Sequence, residues 1–187
     1  TMITLIIFLG ILALIALFLV NVFNRFATLR NLVKDAWSNI DVALKRRYDL
    51  IPNLVETVKG YAKHEKSTLE AVINARNAAM AVPSGDINAQ IKAENQLQQS
   101  LRSIFALGEA YPDLKANTNY LDLQQKLNEI EENLERARRY YNGSVRENNT
   151  YGESVPGVLV ASLFKYQHFD YFEAEEASRA NVKVDFS

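Results

Sequence analysis

Ile3–Phe23 reads ITLIIFLGILALIALFLVNVF, with no charged residue and with Thr4 and Asn21 as its clearly polar members. At about 1.5 Å of helical rise per residue, roughly 20 such residues cross the ~30 Å hydrocarbon layer of a bilayer, so the run predicts a transmembrane helix. A cleaved signal peptide would want a basic stretch in front, a shorter apolar region and a small-residue cleavage site, whereas Asn21-Val22-Phe23-Asn24 closes this run. The flanks predict orientation. Thr1 and Met2 bring no basic side chain, while Arg25, Arg30 and Lys34 follow, partly countered by Asp35. The positive-inside rule then places the short N-terminus outside and the remainder in the cytoplasm.

Beyond Asn24 the apolar positions fall at Phe26, Leu29, Val33, Trp37 or Ala36, Ile40, Leu44, Ile51, Leu54, Val58 and Tyr61, a three-and-four alternation broken at Arg47. No breaker separates this stripe from the apolar run, so a single rod on the order of 90 Å is expected from Ile3 to Ala62, kinked or weakened at Pro52. Ser67-Thr68-Leu69-Glu70 has the form of a capping box and predicts the start of a second helix, with Leu69, Ile73 or Val72, Arg76 and Met80 on one face. Val82-Pro83-Ser84-Gly85-Asp86 is the clearest turn. A third helix carries Ile87, Ile91, Leu97, Leu101, Phe105 and Gly108 and ends at Tyr111 before Pro112. The fourth is the most regular, with Leu123, Leu127, Ile130, Leu134, Ala137, Tyr141 and Val145.

These patterns predict an all-α chain: a transmembrane helix over residues 1–23, an up-and-down four-helix bundle over 24–154, and an aromatic segment with an irregular tail over 155–187. A long coiled-coil hairpin competes if the Gly60–Ser67 boundary is read through. In the last segment Val158–Phe164 is apolar, and Tyr166, Phe169, Tyr171 and Phe172 follow. Such aromatics can cover the open end of the bundle, bind a neighbouring subunit or touch the membrane. Glu173–Ser187 is charged and lacks periodicity, so it is expected to fray or to dock as an extended tail.

Composition narrows the chemistry. With 21 Lys plus Arg against 22 Asp plus Glu, the formal net charge is −1, which provides no basic field for nucleic acid. The absence of Cys removes disulfides and thiolate metal sites. His64-Glu65-Lys66-Ser67-Thr68 begins like a zincin helix, but Thr68 stands where the second imidazole is needed, and the other His, His168, lies far away. No Glu-x-x-His pair suits a di-iron bundle. No cofactor and no catalytic set are therefore expected. Glu129, Glu131, Glu132 and Glu135 precede Arg136, Arg138 and Arg139 on one helix, and Glu132 to Arg136, Glu135 to Arg138 and Glu135 to Arg139 have the three-and-four spacing of solvated ion pairs. Asp41, Lys45 and Asp49 form a similar ladder. Arg47 differs because it lies on the apolar stripe, where a guanidinium must snorkel out or find buried acceptors. Trp37, about 14 residues past Phe23, would stand roughly 20 Å beyond the membrane edge and is expected to pack in the core.

Several strings in this stretch together resemble the bacterial LemA family: Ala36-Trp37-Ser38-Asn39-Ile40-Asp41-Val42, Leu44-Lys45-Arg46-Arg47-Tyr48-Asp49-Leu50-Ile51-Pro52-Asn53-Leu54 and Val58-Lys59-Gly60-Tyr61-Ala62. His64-Glu65, Ala75-Arg76, Ala93-Glu94-Asn95, Tyr111–Asn117, Ala137-Arg138 and Tyr141-Asn142 extend the likeness over about 33–149, and the tail matches loosely. The resemblance implies one N-terminal membrane helix, a four-helix bundle and a general link to membrane biogenesis and envelope quality control, with no catalytic residues to carry across.

The resulting expectation is a non-enzymatic scaffold or adaptor of the bacterial inner membrane. It would be held in lipid by residues 3–23, be homo-oligomeric, and meet other membrane proteins or lipid through Lys45, Arg46, Arg47, Asp49, Asn53, Phe164, Phe169, Tyr171 and Phe172. A membrane-shaping protein is the alternative. An enzyme with a site assembled from Arg47, Arg76 and Glu94 is the third reading.

Overall fold

Helix formation follows the stripes. The computed structural model describes residues 2–172; Thr1 and the stretch 173–187 predicted to fray or dock lie outside the described residues. It is all-helical, without a strand among the described residues: α1 (Met2–Lys59), α2 (Lys66–Met80), α3 (Ile87–Ala110), α4 (Pro112–Lys115), α5 (Thr118–Glu153) and α6 (Gly157–Val160). The apolar run and the first amphipathic stripe are one helix, as expected, and α1 continues through Pro52.

Punctuation residues set the ends. Gly85 adopts φ 96°, a left-handed conformation that suits glycine, and delivers the chain to Asp86, whose Oδ1 accepts from Ala89 N at 3.0 Å to cap α3. Pro112 closes α3 and opens α4 at its first turn, where a missing N–H costs nothing. Asn117 Oδ1 accepts from Tyr120 N at 3.0 Å and caps α5. The capping box predicted at Ser67 is not used. The Glu65 carbonyl already accepts from Leu69 N at 3.2 Å, so α2 starts at Lys66 and Ser67 falls inside its first turn.

The chain forms two compact units, one from residues up to 40 with 137–171 and the other built on 41–136. In the first, Val22, Phe26 and Val160 make a buried cluster, with Leu19, Tyr151, Phe164 and Tyr166 packed against it. The Phe26 ring lies 5.0 Å from Tyr151 in an edge arrangement, and the half-buried Trp37 meets Tyr141 edge-on at 5.5 Å, while Ala36 takes the fully buried stripe position. In the second unit Leu44, Ile51, Leu54 and Val58 of α1 are buried, as are Leu97, Leu101 and Ile104 of α3 and Leu123, Leu127 and Leu134 of α5. Three stripes are corrected in register. The first ends at Val58, because α1 stops at Lys59 and Tyr61, expected on that stripe, is exposed while Ala62 is buried. On α2 the buried face is Leu69, Val72, Ala75 and Ala79, which leaves Ile73 and Met80 exposed; on α3 Ile104 takes the place expected of Phe105. Gly108 of α3 is where Tyr120 of α5 crosses, since a Cβ there would stand 2.2 Å from the phenol oxygen.

The apolar part of α1 behaves differently from every other helix. Its most apolar 18-residue window is 0% buried within the chain, and the helix is long and apolar enough to cross a membrane. A helix apolar on all sides and uncovered by its own chain requires an apolar surrounding.

Candidate functional site

Arg47 occupies the stripe between Leu44 and Ile51, so helical geometry turns it inward with them. Glu94 holds the equivalent position on α3, one turn before Leu97. Each is 1% exposed, and the two meet in a charge-assisted pair from an Arg47 terminal nitrogen to Glu94 Oε2. The Tyr48 hydroxyl donates to Glu94 Oε1, which also accepts from Gln90 Nε2 at 2.8 Å. The second Arg47 terminal nitrogen donates to Glu131 Oε2 at 3.0 Å, and Gln98 Nε2 reaches Glu131 Oε1 at 3.2 Å. α1, α3 and α5 are thereby joined through one guanidinium. Burial pushes the Tyr48 phenol above its ordinary range, against the opposing pull of the Arg47 cation and the Gln90 hydrogen bond.

Arg76 joins the network from α2. Pro52 has no N–H, so the helical acceptor four residues back, the Tyr48 carbonyl, lacks its usual donor. Arg76 Nε fills that position at 2.8 Å. The proline is tolerated inside α1 because a neighbouring helix supplies the missing donor.

The residues picked from sequence divide by burial. Lys45, Arg46, Asp49 and Asn53 are exposed on α1, and Lys45 Nζ pairs with Asp41 Oδ2 at 2.7 Å. Arg47 is removed from any contact surface because its charge is consumed by Glu94 and Glu131. Phe169 and Phe172 are buried at 8% and 2%, Phe164 is half-buried, and Tyr171 is exposed. The three residues of the enzyme reading do converge, since Arg47, Arg76 and Glu94 share one network. Glu94 nevertheless has both oxygens committed to protein donors and no solvent exposure for a proton to use.

Sequence reasoning placed Glu131 among solvated pairs. In fact it lies four residues after Leu127 and three before Leu134, a stripe position that could have shown it. Asn148 and Asn149 were also missed. Asn149 Nδ2 donates to the Phe169 carbonyl at 2.8 Å while its Oδ1 accepts from Phe169 N at 3.1 Å, a two-way bond that copies a backbone pairing. Asn148 Nδ2 holds the Gln167 carbonyl at 2.9 Å, and the Tyr141 hydroxyl holds that of Asp170 at 2.9 Å. These bonds fasten the late aromatic segment along the end of α5.

A family model described as the LemA family matches residues 36–186, beginning within α1 and covering α2 to α6 and the late segment. The chain is similar to Protein LemA of Metamycoplasma hominis, at 24% identity over 82% of this chain and 69% of that protein. It is also similar to the magnetosome proteins MamQ 2 and MamQ 1 of Paramagnetospirillum magneticum, each 23% identical over 90% of this chain and 71% of theirs. With its uncovered apolar helix, this is a membrane-associated helical protein, and the chain belongs to the LemA family.

Proposed function

We propose that the chain is a non-enzymatic scaffold or adaptor anchored in the bacterial inner membrane by residues 3–23. Its N-terminus is outside, and an up-and-down four-helix bundle over about 24–154 lies in the cytoplasm. The observation that carries this reading is the contrast between two parts of α1. The apolar window has no cover within the chain, whereas Arg47 further along is enclosed by its partners. The first part needs lipid and the second fixes helix register, the best-attested use of a buried ion pair. Lys45, Arg46, Asp49 and Asn53 are left on the surface of α1 as the charged face offered to other membrane proteins.

Self-association completes the proposal. Chemical crosslinking in native membranes at the natural expression level yields species larger than the single chain, and Lys45→Glu with Arg46→Glu reduces them. A chain that stays monomeric under those conditions removes the assembly from this account.

A further inference from the structure

Beyond Phe23, the three most exposed large apolar side chains among the described residues are Leu163 at 74%, Val155 at 72% and Leu159 at 67%. They recur every four residues around α6 and the turn after it. The other side of this segment is packed on α1: Val160 shares the buried cluster of Val22 and Phe26 with Leu19 against it, and the Phe164 ring lies 5.3 Å from Phe23. The segment therefore stands at the level of Leu19–Phe26, the last turns of the run assigned to the bilayer. Exposed leucines at that level face lipid, because the helix they pack on is itself entering the membrane there.

Charge agrees with this depth. Arg30 and Lys165, both exposed, line one cleft with Phe23, Phe26 and Phe164. Arg30 lies roughly 10 Å beyond Phe23 along the helix, at headgroup height, with a stem long enough to reach back toward the phosphates. Lys165 takes φ 49°, and Tyr166 N bonds the Ala161 carbonyl at 3.0 Å, the closure of a Schellman turn. This reversal directs the chain back toward α5 directly after Leu163.

We propose that α6 and residues 161–165 form an interfacial wedge, a second membrane contact in which Leu159 and Leu163 enter the acyl-chain boundary beside α1 while Arg30 and Lys165 meet lipid phosphate. The inference rests on the anchored reading given above, and the partner is the lipid surface itself.

Because the chain contains no Cys, single-site labelling tests the wedge in the full protein. Leu159→Cys and Leu163→Cys, each carrying an environment-sensitive fluorophore, are reconstituted into phosphatidylcholine–phosphatidylglycerol vesicles containing a nitroxide at a shallow or a deep acyl position. Leu12→Cys reports the anchor, and Lys126→Cys serves as the exposed control. Labels at 159 and 163 are expected to shift to the blue and to lose emission to the shallow nitroxide more than to the deep one, while the label at 12 prefers the deep one. Unquenched labels at 159 and 163 beside a quenched label at 12 overturn the wedge and leave the anchor standing. If the label at 12 is also unquenched, the anchored reading fails and takes the wedge with it. A blue shift at 159 and 163 without lipid quenching points to a second protein copy on this face and likewise overturns the proposal.

Discussion

Replacing Arg76 by Met removes the Nε donor that reaches the Tyr48 carbonyl from α2, and the consequence depends on Pro52. In the native chain the carbonyl faces a proline without an N–H, and Arg76 Nε supplies its bond at 2.8 Å. A hydrogen bond involving a charged group contributes about 1.5–3 kcal/mol, so Arg76→Met is expected to destabilise the chain by that amount. Pro52→Ala restores the helical amide, and in that background Arg76→Met is expected to cost less than about 1 kcal/mol, because the carbonyl no longer depends on a neighbour. The double-mutant cycle then yields a coupling of roughly 1–2 kcal/mol between two residues whose side chains need not touch. Thermal unfolding of the full chain in detergent micelles, followed by far-ultraviolet circular dichroism, reads these differences. At about 2–4 °C per kcal/mol for a chain of this size, Arg76→Met lowers the midpoint by roughly 3–12 °C alone and by only a few degrees with Pro52→Ala. Equal losses in both backgrounds would refute the link between the proline and the arginine.

Glu94→Ala leaves Arg47 buried with one carboxylate that is itself partly solvated. It is expected to cost about 3–5 kcal/mol, whereas Arg47→Met combined with Glu94→Leu recovers most of that loss, both measurable by the same unfolding assay. Gly108→Ala sets a Cβ 2.2 Å from the Tyr120 oxygen, and displacing that ring is expected to cost about 1–3 kcal/mol. Asn149→Ala strips a buried donor and acceptor pair from Phe169; limited proteolysis should then cut within 161–172 much faster than in the native chain while α3 stays protected. Burial raises the phenols of Tyr48, Tyr120 and Tyr141 above the ordinary value of 10.0, that of Tyr141 with help from the Asp170 carboxylate. The folded state therefore holds these protons more tightly than the unfolded state. This stability is fully present below about pH 10 and is lost as pH rises toward the folded-state values, so phenolate absorbance and helix loss should appear together. Stability that is flat across that window would contradict the assignment.

How much of this was legible in the sequence depended on whether one helix face or two decided the matter. Ile3–Phe23 and the stripe from Phe26 to Val58 each declare themselves within one segment, because length and period are local properties. Arg47 announced itself as an anomaly on that stripe, but its partners lie on α3 and α5, and nothing local pairs Glu94 or Glu131 with it. On α2, Val72 and Ile73 are equally apolar neighbours, and only packing against α3 selects Val72. Ser67 had the chemistry of a cap, yet the Glu65 carbonyl began the helix first. The late aromatics were left between a cover for the bundle end, a subunit contact and a membrane contact, because no periodicity tied them to a helix. The groups that hold this segment are two asparagines, Asn149 on the Phe169 backbone and Asn148 on the Gln167 carbonyl, and that role has no signature in composition or spacing.

The claim beneath all of this is that residues 3–23 are embedded in lipid. Membranes from cells expressing the full chain, washed with alkaline carbonate and sedimented, test it most directly. The account predicts that the protein stays in the pellet and is released by detergent alone, while a variant with Leu9, Leu12 and Leu14 changed to Asp moves to the supernatant. Release of the unaltered chain by carbonate would contradict the anchor.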